Sequence, residues 1–291
     1  MTTMVSPESA ARSACRDSSL SAASLTHLHA HATSVFLLPG EGIVVRVSPE
    51  NQRLRLETAL ALTRWLAANN FPSTEPIEIP QPVTHSPYTV TFWVHYPQPD
   101  RGVPSAGHLG ELLRAFHDLE APPVELPDYQ PLASLQKAID SSTALTTEQR
   151  DLLIAQRADL LDAYQRLEFP LGQGHLHGDA YPGNTLWDGS KVRLGDWDEA
   201  AVGPREIDLA NTFQGARFGR SEHELSDFAI SYGYDIREWP GLPILTSIRD
   251  LHTLGSYIRR ADRGDIAAAA ELSHRIGTLR DGATAARWAA R

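Results

Sequence analysis

The chain has 291 residues, 42% of them hydrophobic, which is enough for one large domain or two lobes and too much for a disordered protein. Its formal net charge of −10 disfavours a general nucleic-acid-binding protein, because affinity for the phosphate backbone comes from Lys and Arg. The single cysteine, Cys15, allows no intrachain disulfide. No stretch approaches the roughly 18 to 20 consecutive apolar residues of a transmembrane helix, and the N-terminus lacks the apolar core of a signal peptide. We therefore expect a cytoplasmic protein without a membrane or nucleic-acid partner.

The N-terminal third predicts a small sheet and one helix. Residues 1–22 are rich in Ser and Ala without a sustained apolar period, so we expect a flexible tail or a frayed helix. Apolar runs at 35–38 and 43–47 flank a Pro/Gly turn and predict a β-hairpin. Helical spacing of apolar residues predicts a helix over 51–70, and alternating β-forming residues predict a strand over 88–95.

The remainder of the chain is mainly helical. Apolar stripes predict helices at 109–119, over 147–168 and within 242–290, whereas loops and short strands occupy 174–198. Strands first and helices later indicate an α+β protein with a small β-rich N-lobe and a larger helical C-lobe.

The Pro-containing run 96–102 breaks the strand pattern and is the candidate connection between lobes. We therefore take 23–96 as the N-lobe, which would bind the nucleotide, and 97–291 as the C-lobe.

The segment that is most informative about function begins with His-Gly-Asp at 177–179. Asn184 follows Asp179 by five residues, and Asp196 follows Asn184 by twelve. Protein kinases place their catalytic Asp, a metal-binding Asn and a second metal-binding Asp in this order. A strand, a turn at Asp188-Gly189 and a second strand would fold Asp196 back beside Asn184, where their oxygens suit Mg²⁺. The residues therefore predict phosphoryl transfer to an alcohol.

The His-Gly-Asp-x-x-x-x-Asn pattern, followed by a strand ending in Asp196-Trp197, resembles the Brenner-type motif of the aminoglycoside phosphotransferase and choline kinase family. Residues 203–210 also match the family pattern Gly-Pro-x-x-x-Asp-Leu-Ala, and a fainter resemblance extends from about Leu28 to the C-terminal helices. The resemblance implies a bilobal protein-kinase-like fold. It further implies transfer of the γ-phosphate of ATP or GTP to a hydroxyl of a small molecule, either an aminoglycoside-like antibiotic or an amino-alcohol or sugar metabolite.

The resemblance also implies a role for each motif residue. Asp179 would be the catalytic base, and Asn184 and Asp196 would bind Mg²⁺. His177 would hold the loop through hydrogen bonds, and Asp208 would brace the loop from the second motif.

Other side chains of the segment leave alternatives open. Asp198 would either reach a second ion or a donor near the site, or be a solvated turn residue. A zinc pair of His175 and His177 is disfavoured, because the only cysteine is remote and the nearby carboxylates suit Mg²⁺ better. We expect Trp187 and Trp197 to pack in the core.

A kinase of this shape also needs a cation over the nucleotide phosphates, held by a helix carboxylate. The candidates are Arg46 and Glu57, with Arg53 or Arg55 as competitors for Glu57. Arg46 replaces the Lys of protein kinases and many family members, which keeps the charge but changes the geometry.

The remaining nucleotide contacts are assigned to backbone groups. Ser34 and adjacent amides of the glycine-free segment 29–34 would contact the phosphates, unless that segment is only a polar turn. The adenine would lie against the end of the strand, where backbone groups of Trp93, Val94 and His95 mimic base pairing. No Gly-x-x-x-x-Gly-Lys-Ser/Thr motif occurs, which disfavours a P-loop enzyme.

Two other functions compete with an active small-molecule kinase. One is a nucleotide-binding regulatory protein of the same fold with weak or no turnover, favoured by the arginine at position 46. The other is a protein kinase, disfavoured because no Ala-Pro-Glu segment follows Asp196.

For the acceptor, the acidic net charge favours a neutral or cationic molecule whose amino group binds C-lobe carboxylates. The carboxylates considered are Glu222, Glu224, Asp227 and Asp250. The same segments carry four arginines, Arg217, Arg220, Arg249 and Arg259, so a solvated surface explains the carboxylates equally well.

Overall fold

The structure, a computed structural model, describes residues 5–30 and 33–289. His31 and Ala32, part of the segment predicted to contact the phosphates, lie outside the described residues. Within the described ranges, none of the helices is both long and apolar enough to cross a membrane.

The described residues form nine α-helices and nine β-strands. The helices are α1 (Pro7–Asp17), α2 (Arg53–Ala68), α3 (Ala106–His117), α4 (Ala133–Ser141), α5 (Thr147–Gln165), α6 (Glu206–Gln214), α7 (Glu222–Tyr232), α8 (Leu242–Asp262) and α9 (Ile266–Arg280). The strands are β1 (Thr26–Ala30), β2 (Ser34–Leu38), β3 (Ile43–Pro49), β4 (Val83–His85), β5 (Tyr88–Val94), β6 (Gln173–Leu176), β7 (Thr185–Asp188), β8 (Lys191–Leu194) and β9 (Ala201–Pro204).

These elements belong to two compact units, each assembled from separate segments of the chain. Unit 1 comprises Met1–Pro104, Asp118–Leu126 and Pro182–Ala200, and unit 2 comprises Ser105–His117, Pro127–Tyr181 and Ala201–Arg291. The chain thus first leaves unit 1 after Pro104, whereas the sequence predicts a lobe boundary at 96/97, and it returns to unit 1 twice.

The main sheet of unit 1 is antiparallel, with strand order β1-β2-β3-β5-β4. The predicted hairpin is confirmed, since Leu38 pairs with Ile43 across the turn. Val45 and Val47 of β3 are buried in the core. Because side chains alternate along a strand, Arg46 projects from the opposite face of the sheet.

Helix α1 differs from the expected tail. Its N-terminus is capped by Ser6, whose Oγ accepts a hydrogen bond from Ser9 N at 3.1 Å, and Pro7 occupies the first turn. The helix packs its small side chains onto the sheet, and the buried ones are Ala10, Ala11, Ala14 and Cys15. Burial raises the pKa of the Cys15 thiol. Alanine contributes little to an apolar stripe, so the sequence pattern does not predict this buried face.

The helices of unit 2 are arranged around two sets of contacts. Helix α3 packs along α7, and α8 contacts α4, α5, α6 and α9. The close approach of α3 to α7 requires Gly110, because a Cβ there would lie 2.6 Å from the Phe228 carbonyl oxygen. Strands β6 and β9 form a two-stranded antiparallel sheet, which places the His-Gly-Asp motif directly after β6.

The packing of α1 can be tested by a buried substitution and an exposed control. We expect Ala14→Gln to lower the free energy of unfolding by about 1 to 3 kcal/mol, because a long polar side chain replaces a fully buried alanine. Ser9→Gln, on the exposed side of the same helix, should change it by less than about 0.5 kcal/mol. Urea denaturation measures both; equal effects would contradict the packing of α1.

Candidate active site

The loop that carries Asp179 is held from within unit 2 by Asp208. Asp208 Oδ2 accepts a hydrogen bond from His177 N, and Oδ1 accepts one from Gly178 N, both at 2.8 Å. Asp208 lies in the first turn of α6 and has no exposed surface. Gly178 has a φ of 82°, a backbone conformation that favours glycine. The turn that precedes Asp179 is therefore fixed by one buried carboxylate.

The charge of Asp208 is stabilised by a second layer of side chains. His117 Nε2 donates to Asp208 Oδ2 at 3.0 Å, and His117 Nδ1 lies 2.9 Å from the Tyr232 hydroxyl. Burial acts to raise the pKa of Asp208, but the hydrogen bond and charge of His117, with His177, hold that pKa below its usual range. Asp208 is thus kept ionised in the interior, where it can accept several hydrogen bonds.

Other residues support the same turn. His177, fully buried, accepts a hydrogen bond at Nδ1 from Asp179 N at 3.3 Å. Asn211 Nδ2 donates to Gly178 O at 3.2 Å. The geometry fits the bracing roles expected of His177 and Asp208, whereas His117 and Asn211 carry no sequence signal that would have identified them.

His175 packs against α3 in the interior of unit 2. Its Nε2 donates to the Phe116 carbonyl at 2.7 Å, its ring lies edge-on to the Phe116 ring, and burial lowers its pKa. Within residues 5–30 and 33–289, no group of three or more His, Cys, Asp or Glu side chains could hold a metal.

Asp179, the candidate base, makes an ion pair within unit 2. Arg249 Nη2 of α8 donates to Asp179 Oδ1 at 2.6 Å. The Arg249 side chain is 9% exposed and that of Asp179 is 30% exposed. Sequence reasoning noted Arg249 only as one of the C-lobe arginines and did not connect it with Asp179.

The candidate metal ligands lie in unit 1, on the predicted hairpin of β7 and β8. Thr185 pairs with Leu194, and Gly195 N donates to Asn184 O at 2.8 Å. The hairpin therefore returns the chain so that Asp196 follows a residue bonded directly to Asn184, as predicted. Asp196 has a φ of 61°, a left-handed conformation that non-glycine residues adopt mostly at turns and functional sites.

The donor chemistry of this turn fits Mg²⁺. Asn184 and Asp196 offer hard oxygen ligands, and the Asp196 side chain is 48% exposed. Because Mg²⁺ in nucleotide sites takes one or two protein carboxylates and completes its shell with phosphate and water, two protein ligands are sufficient.

Arg46 points toward this same turn rather than toward helix α2. Its Nη2 donates to Asp196 Oδ1 at 2.9 Å and to Asp198 Oδ2 at 2.8 Å. Burial acts to lower the pKa of Arg46, but Asp198 and Asp196 raise it above its ordinary value. Burial and the neighbouring Asp196 raise the pKa of Asp198, against the opposing effect of Arg46. The guanidinium thus lies between the carboxylates of Asp196 and Asp198.

The predicted pair of Arg46 with Glu57 is wrong. Glu57 Oε1 accepts from Arg53 Nε at 2.8 Å, an i,i+4 pair on the surface of α2 that local geometry favours. Arg55, the other competitor considered, pairs with Glu199 instead. Asp198 is thus a partner of Arg46, together with Asp196, and its side chain, 20% exposed, is not that of a solvated turn residue.

The residues predicted to contact the nucleotide at the strand ends differ in their surroundings. Ser34 is the first residue of β2 and is half-buried. Trp93 pairs with Val44 inside the sheet. Val94 N donates to Glu75 O and His95 N donates to Gly42 O, both at 2.9 Å. These two amides are engaged within unit 1, so they are not donors for a base in this arrangement.

The two tryptophans of the motif region differ in environment. Trp197 is buried, contacts the Phe71 ring edge-on and donates from Nε1 to Leu194 O at 3.0 Å, which confirms its predicted core position. Trp187 is partly exposed, and the Arg101 guanidinium stacks 3.5 Å from its ring centroid. The predicted connection 96–102 thus contributes Arg101 to the outer side of the hairpin, and Trp187 is not a core residue.

The four carboxylates considered for an acceptor amino group have other contacts. Glu222 pairs with Arg237, and Glu224 caps the start of α7 through Ser221. Asp250 is buried against Arg217 at 2.8 Å, and Asp227 lies 3.8 Å from His223. Each of these four carboxylates is therefore already in contact with a protein group.

A family model described as the phosphotransferase enzyme family matches residues 28–244. The chain belongs to that family. No curated protein matches the chain by sequence.

Solved structures with the same fold share little sequence with this phosphotransferase-family chain. Amicoumacin kinase hAmiN, in complex with AMP-PNP, Ca²⁺ and Ami, has a TM-score of 0.70 at 12% identity, covering 91% of this chain and 90% of its own. Aminoglycoside phosphotransferase APH(3'')-Id from Streptomyces rimosus, in complex with ADP and streptomycin, has a TM-score of 0.59 at 16% identity, covering 81% and 95%. A choline/ethanolamine kinase family protein from Mesorhizobium loti has a TM-score of 0.57 at 16% identity, covering 89% and 92%. The predicted α+β, protein-kinase-like fold is confirmed.

The bracing role of Asp208 predicts a large and pH-dependent stability effect. We expect Asp208→Asn to cost about 3 to 5 kcal/mol in the free energy of unfolding at pH 7, because it breaks a buried, hydrogen-bonded charge arrangement. Since the folded pKa of Asp208 is depressed, this stabilisation is fully present above the unfolded pKa of about 3.9 and is lost as the pH falls through the lower folded pKa. Urea titrations of both proteins at pH 7, 5 and 3.5 should therefore show a gap between their free energies of unfolding that is constant down to about pH 5 and then narrows.

The exposed Asp162→Asn, an i,i+4 partner of Arg166, is the control for Asp208→Asn and should change the free energy of unfolding by less than about 1 kcal/mol. A gap that widens on acidification would contradict the assigned charge.

The partners of Arg46 predict which carboxylate couples to it. In double-mutant cycles read out as the dissociation constant for MgATP, Arg46→Ala and Asp198→Asn should show an interaction of about 0.5 to 3 kcal/mol, because the two side chains are in contact. The matched cycle of Arg46→Ala with Glu57→Gln should be additive within about 0.5 kcal/mol. Coupling to Glu57 with additivity at Asp198 would contradict the observed arrangement.

Proposed function

We propose that this chain is a cytoplasmic kinase of small molecules, which transfers the γ-phosphate of ATP or GTP to a hydroxyl group of an aminoglycoside-like antibiotic, an amino alcohol or a sugar metabolite. The observation that carries the proposal is the loop of Asp179, whose preceding amides are both held by the buried Asp208. A fixed carboxylate one residue beyond those amides is what an acceptor hydroxyl needs for its orientation.

In this proposal each residue has a limited task. The acceptor oxygen bonds to the γ-phosphorus as the bond from that phosphorus to the β,γ-bridging oxygen breaks, and Asp179 receives the hydroxyl proton. Arg46, which Asp198 holds in place, balances the charge of the phosphates. Asn184 and Asp196 would hold Mg²⁺, which supplies charge neutralisation at the β- and γ-phosphates.

Membership of the phosphotransferase family and the nucleotide complexes of the similar structures support this proposal. The permanently charged Arg46, engaged by carboxylates of the metal-binding turn, supports a nucleotide-phosphate role without a lysine.

Replacement of the base tests the proposal most directly. Asp179→Asn should lower the turnover number by a factor on the order of 10² to 10⁴, because it removes the proton acceptor, and should leave the MgATP dissociation constant nearly unchanged. The measurements are release of nucleoside diphosphate across a panel of hydroxylated acceptors and a thermal shift with nucleotide.

Asp196→Ala is the matched variant for the metal site, and it should instead lose the Mg²⁺-dependent part of the nucleotide-induced thermal shift. Retention of more than about a tenth of the wild-type turnover in Asp179→Asn would sink the assignment of the base. A wild-type chain that shows the metal-dependent shift but no transfer would support the regulatory alternative.

A further inference from the structure

We propose that Arg249 is a specificity-determining residue of the acceptor site, which selects acceptors whose substituents beside the reacting hydroxyl are neutral or anionic. This inference rests on the proposed function, because it takes Asp179 as the group that binds the hydroxyl. It narrows the acceptor class, and it runs against the expectation from net charge that carboxylates receive an acceptor amino group.

The first observation is distance. Arg249 Nη2 lies 2.6 Å from Asp179 Oδ1. A hydroxyl that hydrogen-bonds to this oxygen, at up to about 3.2 Å, therefore has its own oxygen within about 6 Å of the guanidinium. A substituent on a neighbouring carbon that is directed toward α8 lies at a similar distance from the guanidinium, whose charge acts strongly there.

The second observation is the manner in which Arg249 is held. The residue is 7% exposed, and its buried Nε has no hydrogen-bond partner among the described residues. Because the Arg249 side chain is only 9% exposed, solvent and salt screen its contact with Asp179 less than they screen a surface ion pair. Arginine, in contrast to lysine, also offers a planar group of five N–H donors.

The third observation concerns the other charges of unit 2. The buried Asp208 and Asp250 are committed to His117 and Arg217, and Glu222 and Glu224 pair with arginines at the surface. Arg249, by contrast, offsets the charge of Asp179 at 2.6 Å. A cationic group beside the reacting hydroxyl would meet a paired carboxylate and an adjacent positive charge, which together do not attract it.

An anionic or neutral substituent, unlike a cationic one, can interact favourably with Arg249. A carboxylate or a hydroxyl can accept from the remaining N–H groups of a guanidinium, which presents five donors. The acceptor class that fits is a hydroxylated molecule of the sugar or hydroxy-acid type, with any amino groups remote from the reacting hydroxyl.

The test compares kcat/KM for three sets of acceptors in wild type, Arg249→Gln, Arg249→Lys and a control. The neutral set is glycerol and simple sugars, the anionic set is glycerate and related hydroxy acids, and the cationic set is ethanolamine, choline and aminoglycosides. Arg259→Gln, an equal change of charge at an exposed position of the same helix, is the control. Thermal melting of each variant shows whether it is folded.

We expect wild type to prefer neutral or anionic acceptors. Arg249→Gln should shift the ratio of kcat/KM for cationic over anionic acceptors by tenfold or more toward the cationic set, and mainly through KM. Arg249→Lys should keep the wild-type order, and Arg259→Gln should leave it unchanged. If Arg249→Gln does not fold, the wild-type order and its retention in Arg249→Lys decide the question.

A wild-type preference for cationic acceptors would overturn the inference. So would an equal loss for all three sets in Arg249→Gln, which is the result expected of a residue that only supports the loop. Failure of the proposed function has a different signature, because then no set is phosphorylated, or Asp179→Asn remains active.

Discussion

The candidate site depends on one ionised carboxylate in the interior of unit 2. Asp208 accepts hydrogen bonds from two successive backbone amides and from His117, and these contacts outweigh the cost of its burial. The backbone of a loop is ordinarily among the more mobile parts of a protein. Here the two amides before Asp179 are both hydrogen-bonded to Asp208. The orientation of Asp179 therefore depends on the first turn of α6. His117 and Tyr232 extend the constraint from α6 to α3 and α7.

In unit 1, a set of ion pairs holds the turn that follows β8. Arg46 lies between Asp196 and Asp198, while Arg55 engages Glu199 in the same turn. If Asp196 turns to a metal ion, Asp198 remains to hold the guanidinium. Arg46 is thus paired without a carboxylate of α2, because Glu57 contacts Arg53 instead. The ion pairs also explain how a turn with three acidic side chains in four residues stays compact, because two arginines from β3 and α2 offset their repulsion.

How much the sequence predicts depends on the range of the interaction. Local patterns predict the two hairpins and helix α2, and the structure has these elements at the predicted positions. The second hairpin also returns Asp196 to Asn184, as the spacing predicts. The partners of charged residues do not follow, because each arginine faces several carboxylates of equal chemistry. Arg46 and Asp198 are separated by 152 residues, and Asp179 and Arg249 by 70. For Glu57 the sequence offered a nearby and a distant arginine, and the i,i+4 neighbour prevailed. The packing of helix α1 was not predicted for a different reason. Its buried face consists mainly of alanines, which give little contrast in hydrophobicity with the exposed face.

The burial of Cys15 in α1 gives the molecule a built-in chemical reporter. It is the only thiol in the chain, it is fully buried, and its raised pKa keeps it protonated and unreactive at neutral pH. Labelling by a thiol reagent then requires α1 to detach from the sheet, so the labelling rate measures the free energy of that local opening without any introduced probe. Because Arg46 projects from the other face of the same sheet, the labelling rate with and without nucleotide would show whether the proposed nucleotide site is coupled to the packing of α1.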